Sequence, residues 1–281
     1  MRDYFCGWYF RCQSKMQTMA VIPAFHVTNG EKSCSIQLIT DEASWTFSFP
    51  YSSFHRNKTG IEIAGNHFGK DGITLDLNAP ELTVTGTVSF GPLATISYDI
   101  MGPFRYVPFM ECRHSVFSMK HTVNGAFMIN GVRYEFADGT GYTEGDRGYS
   151  FPREYAWTQC SFPEGALMLS VADIPFCGFH FTGVIGVVHW KNKEYRIATY
   201  CGARAVHIHD GELVVRQGRK QLTVRLMEKK AHPLAAPVDG SMLRTIHETA
   251  SSKAYYHFQD SGRTIFELEI PNAAFEYEYP K

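Results

Sequence analysis

Apolar and polar residues alternate one for one in many short runs of this chain, and this pattern constrains its fold more than any other feature. The run from Leu82 to Phe90 alternates mainly aliphatic residues with threonine, and the runs Leu222–Leu226 and Phe266–Ile270 alternate in the same way. Successive side chains of a β-strand point to opposite faces, so period two places one face in a core and the other in water. The pattern predicts an all-β, antiparallel protein.

Dipeptides that favour tight turns recur along the chain and support the same prediction. Such dipeptides supply the positive φ angles that two-residue hairpin loops need. They are Asn29-Gly30, Asp71-Gly72, Asn124-Gly125, Asn130-Gly131, Asp138-Gly139 and Asp210-Gly211. No stretch shows a convincing helical period, and Ala231 to Gly240 reads as a Pro-rich connector. Many short strands with turns between them are typical of a sandwich or a barrel.

Length and charge narrow the organisation and the partners. The chain has 281 residues, of which 44% are hydrophobic, enough for one large β domain or two modest ones. We predict two units, residues 1–145 and 146–281. The formal net charge is −1 with no block of like charge, which argues against a nucleic-acid partner.

The compartment is predicted from three features of the sequence. Apolar runs fall short of a membrane span, and the N-terminus has no apolar signal region. The seven cysteines are odd in number and contain no CxxC pair, a pattern that suits free thiols in a reducing compartment. We therefore expect a cytoplasmic protein.

The segment from Gly141 to Pro152 has the most unusual composition in the chain. If Tyr142 to Arg147 is extended, Tyr142, Glu144 and Asp146 share one face, with about 6–7 Å between successive side chains. Two carboxylates at that distance repel, which raises the pKa of one of them, and an apolar surround raises it further. A carboxylic acid that stays protonated near neutral pH is what general-acid chemistry needs. The alternative is that both carboxylates flank a turn and pair with nearby arginines.

Two further groups of residues are candidates for a functional site. By alternation, Tyr155, Trp157 and Gln159 project together, and aromatic faces can stabilise a cation or bind a planar ring. The alternative is that they are core aromatics. His114 lies beside Arg113 and reads as a satisfied core or rim histidine.

Sequence templates for cofactor sites fail. No dinucleotide or phosphate-binding glycine motif precedes a helix, and no GxSxG elbow is present. His207 and His209 would share a strand face but have no further ligands of metal-site spacing. We expect no cofactor and no metal.

Two pieces of the sequence resemble one known family. Gly7-Trp8-Tyr9 resembles the GWYY-type opening of tocopherol cyclases. The stretch GYTEGDRGYSFPREYAWTQ, residues 141–159, is similar to their GYxExxWGxxFPxxWxWxQ signature. Arg147 stands where the family has an aromatic residue, which leaves the substrate open. The resemblance implies two lipocalin-like barrels packed together, in a calycin-related group akin to carotenoid hydratases.

The resemblance also implies a reaction. Tocopherol cyclases protonate a prenyl double bond, and the phenol oxygen of the same molecule captures the tertiary carbocation; in the hydratases water captures it. Neither reaction uses a metal or redox cofactor. Glu144 would be the proton donor, Tyr142 would hold or relay the proton, Asp146 would tune it, and His114 would be a second relay.

The same resemblance assigns substrate contacts and partners. Trp8, Tyr155 and Trp157 would shield the cation from water, with Gln159 beside them in the substrate site. The expected partner is a hydrophobic small molecule, and contact with a membrane surface for access to it stays open, as does the oligomeric state. The alternative functions are a non-catalytic carrier of an apolar molecule and a structural β-protein with a filled core.

Overall fold

The prediction of an all-β protein is confirmed. A computed structural model describes residues 3–108, 110–176, 178–228, 232–238 and 241–280. The regular structure of these residues consists of β-strands and three short 3-10 turns. The strands form two large antiparallel sheets, each curled into a barrel-like unit.

The first sheet has eleven strands in the order β4-β3-β2-β1-β11-β10-β9-β8-β7-β6-β5. Its strands are β1 Tyr4–Gln13, β2 Thr18–Thr28, β3 Glu31–Thr40, β4 Ser44–Pro50, β5 Phe54–Arg56, β6 Gly60–Ile63, β7 Asn66–Gly69, β8 Gly72–Ala79, β9 Leu82–Phe90, β10 Cys112–Ile129 and β11 Val132–Gly148. The first strand pairs with the last, which brings residues more than a hundred positions apart into register.

The second sheet has ten strands and repeats this plan, since its first strand, β12, pairs with its last, β21. Its strands are β12 Tyr155–Phe162, β13 Gly165–Phe176, β14 Phe179–Trp190, β15 Lys193–Ala198, β16 Arg204–His209, β17 Glu212–Gln217, β18 Lys220–Leu226, β19 His232–Val238, β20 Ser241–Asp260 and β21 Arg263–Tyr277.

The chain divides into two compact units made of non-contiguous segments. The first comprises Met1–Thr95, His114–Ser150 and Leu234–Arg244, and the second comprises the remaining segments. The predicted domain boundary between residues 145 and 146 stays a prediction.

The first unit has a core on one face of β1 and a second buried face behind it. Phe10 and Cys12 belong to the core cluster together with residues of β2, β3 and β6 to β11. Tyr9 and Arg11 alternate with them and project from the opposite face, yet both are buried. Both faces of β1 are therefore covered, which is typical of a strand that also borders an interior site.

The second unit repeats this arrangement. Ala156, Cys160 and Phe162 of β12 belong to its core cluster. Tyr155, Trp157 and Gln159 alternate with them and are also buried.

Two of the predicted turns are wrong. Asn124-Gly125 lies inside β10 and Asp138-Gly139 lies inside β11. The Asp138 N–H donates to Asn124 Oδ1 at 2.9 Å, so the two dipeptides face each other across the strand pair. A Cβ on Gly125 would lie 2.2 Å from the Thr87 carbonyl oxygen, so glycine allows a close strand approach here rather than a chain reversal.

Three other turn predictions are confirmed. Asn29, Asn130 and Asp210 have φ of 51°, 48° and 46°, and each is followed by a glycine with φ of 80° or more. These values fit the two-residue turns that join antiparallel strands. At Asp71-Gly72, Gly72 is instead the first residue of β8.

The predicted connector from Ala231 to Gly240 is a strand over its central part, β19. Ala231, Asp239 and Gly240 lie outside the described residues. Proline is tolerated in strands at edges, and β19 pairs only with β20 in the sheet order.

Among the residues that the structure describes, none form a helix with the length and apolar character needed to cross a membrane. Cys6, Cys12, Cys34 and Cys201 are free thiols.

Candidate active site

The central polar segment is extended, as the sequence predicted. Residues 141–148 form the end of β11, and alternation places Tyr142, Glu144 and Asp146 on one face. This face is opposite to the core cluster of the first unit, because β11 pairs with β1 such that Glu144 lies opposite Tyr9 rather than Phe10. The three side chains therefore belong to the second buried face of the unit.

Glycines flank these side chains because the other face of β11 is crowded. A Cβ on Gly141 would lie 2.2 Å from His121 Nε2. A Cβ on Gly145 would lie 2.9 Å from the Gly7 carbonyl oxygen and 3.0 Å from Phe117 Cε2. The absence of side chains here lets β11 approach its neighbours closely while its polar side chains occupy the opposite face.

His114, near the start of β10, lies between the two carboxyl groups. Its Nδ1 is 2.9 Å from Asp146 Oδ1, and its Nε2 is 3.0 Å from Glu144 Oε2. The first contact has hydrogen-bond geometry; at Nε2 the N–H direction departs from that geometry, so the second contact is chiefly electrostatic. One imidazole thus links the two carboxyl groups that the sequence singled out.

Tyr142 completes the cluster. Its O–H donates a hydrogen bond to Glu144 Oε2, the same oxygen that faces His114. Because both contacts converge on Oε2, a proton carried by this carboxyl belongs on Oε1. Oε2 of Glu144 is therefore held by a tyrosine hydroxyl and faces an imidazole.

The burial of the cluster constrains the net charge that it can carry. The side chains of Glu144, His114 and Asp146 are 6%, 10% and 22% exposed. A buried cluster of two carboxyl groups and one imidazole is neutral when the imidazole is charged and one carboxyl is protonated. Of the two carboxyl groups, Glu144 is the more deeply buried, so burial favours its protonated form.

The pKa shifts have the same direction as this argument. Burial raises the pKa of Glu144, the charge and hydrogen bond of His114 oppose that rise, and the Asp146 charge reinforces it. Burial by itself would lower the pKa of His114, but the Asp146 and Glu144 carboxyl groups outweigh it, so the pKa lies well above the usual histidine value. Burial, followed by the Glu144 charge, raises the pKa of Tyr142, which keeps its hydroxyl protonated.

Tyr9 belongs to the site, but the sequence-based candidates did not include it. Tyr9 is paired with Glu144 and Arg11 with Tyr142 across β1 and β11. The Tyr9 and Tyr142 rings pack edge to face with centroids 6.5 Å apart. The sequence-based interpretation assigns Trp8 rather than Tyr9 to the substrate site, because alternation alone does not say which face of β1 meets the acids.

Trp8 lies on the face of β1 opposite to the one that Tyr9 shares with Glu144. It projects from the core face of β1, where its ring stacks on Phe54 at 6.4 Å and contacts Phe25 at 6.5 Å. Arg56 lies over the same ring at 5.8 Å. Its part in substrate binding stays a prediction.

The three β12 residues share a buried face in the second unit, as alternation predicted. The Tyr155 O–H donates to Glu276 Oε2 at 2.6 Å, and Trp157 is paired with Glu276 across β12 and β21. Gln159 Nε2 donates to Ser161 Oγ at 3.3 Å. Glu276 is a buried acid that the sequence-based candidates did not include. The assignment of Tyr155, Trp157 and Gln159 to substrate binding stays a prediction.

The acid cluster also offers metal ligands. One ligand atom each from His114, Glu144 and Asp146 lies within 4.8 Å of the others. A cation on His114 would take the place of an imidazole proton, so metal binding and the proton arrangement described above exclude each other. His207 and His209, the other histidine pair considered, are exposed on β16 with ring centroids 6.3 Å apart.

Comparisons with known proteins show similarity at the level of structure. No protein-family model matches the chain, and no curated protein sequence matches it. Kievitone hydratase from Nectria haematococca superposes with a TM-score of 0.59 at 10% identity, over 98% of this chain and 89% of that one. CghA in complex with Sch210972 gives a TM-score of 0.58 at 9% identity, over 99% and 88%. An AttH-like protein from Nitrosomonas europaea gives 0.57 at 8% identity, over 100% and 93%.

These superpositions cover nearly the whole chain, so the shared feature is the complete two-sheet architecture. At 8% to 10% identity, the likeness shows the fold and does not transfer a reaction. The chain has the lipocalin-like β fold of these proteins.

Proposed function

We propose that this protein is an enzyme that protonates a carbon–carbon double bond, and that its reaction is the cyclisation of a prenylated quinol or a similar isoprenoid. The observation that carries the proposal is the contact of one buried carboxyl, Glu144, with both Tyr142 and His114. A neutral buried acid beside a charged imidazole can give a proton to a weakly basic alkene and take one back. The resemblance to tocopherol cyclases supplies the substrate class.

The first step transfers the proton from Glu144 Oε1 to the less substituted alkene carbon. The alkene π pair forms the new C–H bond, which leaves a tertiary carbocation on the neighbouring carbon and a carboxylate on Glu144. The Tyr142 O–H and the His114 imidazolium both face Oε2 and stabilise the new carboxylate. The ring of Tyr9, opposite Glu144, offers an aromatic face to the cation.

The second step closes the ring. The phenol oxygen of the same molecule attacks the carbocation, forms the C–O bond and loses its proton. That proton returns to Glu144, either directly or through His114, whose other nitrogen is held by Asp146. The product is an isomer of the substrate, and burial of the acid limits competition from water.

Hydration is the second candidate, favoured by the structural similarity to kievitone hydratase. The first step is the same, and a water molecule captures the carbocation instead of the phenol oxygen. The two reactions differ in product mass, because hydration adds one water.

The test is incubation with geranylated hydroquinone in D₂O, with mass spectrometry of the product. Cyclisation gives an isomer of the substrate in which one carbon-bound deuterium replaces a hydroxyl hydrogen, and hydration gives a product heavier by the elements of heavy water. Glu144→Gln is expected to abolish the product while calorimetry still detects binding. Glu135→Gln makes the same change at an exposed position of β11 and should leave turnover unchanged.

Three outcomes would contradict the proposal. Turnover that survives Glu144→Gln would remove this carboxyl from the reaction. Binding without any product would favour the carrier alternative. A stoichiometric metal in the purified protein, lost together with activity on chelation, would replace the proton chemistry at His114.

A further inference from the structure

One end of the core of the first unit is partly open to solvent. β1 and β3 begin at this end, and β2, β4 and β11 finish there. Deeper in the same core, Phe10, Val21 and Ile36 are buried, whereas the aromatic side chains nearer this end are only partly buried. These partly buried aromatic residues are Tyr4, Trp8, Phe25, Tyr51 and Phe54, and we call them the aromatic mouth.

The rings of the aromatic mouth contact one another in a continuous series. Trp8 stacks on Phe54 with ring centroids 6.4 Å apart, and Phe25 packs against Phe54 at 5.0 Å. Tyr51 stacks on Phe54 at 5.8 Å, and Tyr4 packs against Phe25 at 5.9 Å. Because each of these rings keeps some contact with water, together they offer an apolar surface on which a flat molecule can stack.

Two cations lie over rings of the mouth. Lys32 Nζ is 5.1 Å from the centroid of the Tyr51 ring, and the guanidinium carbon of Arg56 is 5.8 Å from the centroid of the Trp8 ring. Both basic side chains are exposed, so their charged groups stand at the rim. The attraction between a cation and the face of a ring holds each positive charge beside the apolar surface.

Arg147 is a third cation at this rim. It is paired with Cys6 across β11 and β1, so it projects to the core side of β11 and away from Glu144. Burial raises the pKa of Cys6 to about 11, whereas the charges of Arg56 and Arg147 lower it, so both guanidinium groups lie near this thiol. Arg147 is also the residue at which the sequence departs from the tocopherol cyclase signature. That departure therefore adds a charge to the mouth and not to the acid cluster.

The three cations have no acidic partners. Within the described part of the chain, none of Lys32, Arg56 and Arg147 forms an ion pair. Arg133, which is also exposed and also on β11, is by contrast 3.2 Å from Glu135. Unpaired positive charges beside exposed rings favour a ligand that carries negative charge and has a flat apolar body.

We propose that the aromatic mouth is a second binding site and that its ligand is a flat aromatic anion. The rings of the ligand lie against Trp8 and Phe54, and its anionic group lies at the rim near Arg56 and Arg147. The site is separate from the acid cluster, because Trp8 projects from the core face of β1 and Tyr9 from the face that Glu144 shares. No residue of the mouth takes part in the proposed protonation, so the two sites can be tested separately.

The combination of rings and cations determines the ligand class. A neutral aromatic molecule would gain only the stacking contacts, and a small inorganic anion would gain only the attraction of the charges. Guanidinium groups also bind carboxylate, sulfonate and phosphate groups through paired N–H donors. An aromatic molecule that carries one of these groups gains both contributions and should bind more tightly than either.

The test compares two fluorescent probes that share the same rings. Anilinonaphthalene sulfonate carries a sulfonate group, and N-phenylnaphthylamine lacks it. Fluorescence titration of the full chain should show one sulfonate probe bound per chain, about ten-fold tighter than the neutral probe. The double variant Arg56→Gln with Arg147→Gln should reduce this preference to within about two-fold, and so should high salt, because the charges stand at the surface. Trp8→Leu should weaken both probes by a similar factor, since it removes a ring that both use.

Arg133→Gln removes an exposed arginine from the same strand as Arg147 and should keep the preference. Circular dichroism and thermal unfolding check that each variant is folded, because the sulfonate probe also binds partly folded proteins. Equal affinity of the wild type for the two probes would overturn the proposal, as would a preference that persists in the folded double variant. Displacement of the sulfonate probe by geranylated hydroquinone would place the probe at the acid cluster and would overturn the separate site.

Discussion

His114 Nε2 lies 3.0 Å from Glu144 Oε2, while the other nitrogen of the same ring contacts Asp146, two residues further along β11. The imidazole therefore transmits a charge change at either carboxyl group to the other. A buried acid with such a partner can lose a proton and regain it without exposure to bulk water.

Removing the hydroxyl of Tyr142 should raise the pKa of Glu144 further, because the Tyr142 hydrogen bond lowers it. In Tyr142→Phe the decline of kcat with pH should move to higher pH, and kcat should fall by roughly ten-fold, since the nascent carboxylate loses a donor. A pH profile of turnover measures both. Tyr134→Phe removes a hydroxyl on the core side of the same strand and is the control; a profile that Tyr142→Phe leaves unchanged would contradict the role of this tyrosine.

Removing the charge of Asp146 should shift the decline of kcat with pH in the opposite direction, towards lower pH. The Asp146 charge raises the pKa of both Glu144 and His114, so Asp146→Asn lowers both. A general acid works below its pKa, and activity should therefore be lost at a lower pH than in the wild type. Turnover measured from pH 5 to pH 9 tests this; a shift to higher pH would show that Asp146 does not act through its charge.

Acid should destabilise the protein in a defined range. Burial lowers the pKa of His26 and of His121 from 6.5 to about 4. Between these values the unfolded chain binds protons that the folded one does not, so stability is present above pH 6.5 and is lost as pH falls towards 4. Each histidine contributes up to about 3 kcal/mol to this loss. Urea unfolding at several pH values measures it, and His121→Asn should flatten the slope, whereas an unchanged slope would contradict the assignment.

Gly141→Ala should cost stability, because the new Cβ would lie 2.2 Å from His121 Nε2. The histidine ring, which packs at a tilt against Phe90 with centroids 4.4 Å apart, has to move. We expect a loss of about 1–3 kcal/mol in the free energy of unfolding. Gly131→Ala is not a suitable control, because the φ of Gly131 is 80°. Ala126→Gly in β10 serves as the control instead. The double variant Gly141→Ala with His121→Ala should recover part of the loss, and failure to do so would place the strain elsewhere.

The two predicted substrate tryptophans should behave differently. Trp8 packs among Phe25 and Phe54 on the core side of β1, so Trp8→Leu should lower the melting temperature and leave KM nearly unchanged. Trp157 lies on the non-core face of β12, and Trp157→Leu should raise KM several-fold with a smaller effect on stability. Melting curves and steady-state kinetics of the two variants test this difference. Equal effects on KM would contradict a stability role for Trp8 and a substrate role for Trp157.

Local sequence pattern is enough to predict the strand-rich fold and to say which residues share one face of β11. Period-two alternation depends only on local backbone geometry, so it correctly placed Tyr142, Glu144 and Asp146 together. The turn dipeptides were less reliable, because glycine also serves strands that approach closely, as at Gly125.

Which residues meet those acids depends on long-range strand pairing. His114 and Tyr9 reach Glu144 from β10 and β1, the two neighbours of β11 in the sheet, and pairing across more than a hundred residues fixes the register of β1. A one-residue slip in either strand would turn the side chains to the other face. Because both faces of β1 and β11 are buried, hydrophobic pattern could not choose between Trp8 and Tyr9, and the packing of the whole sheet made that choice.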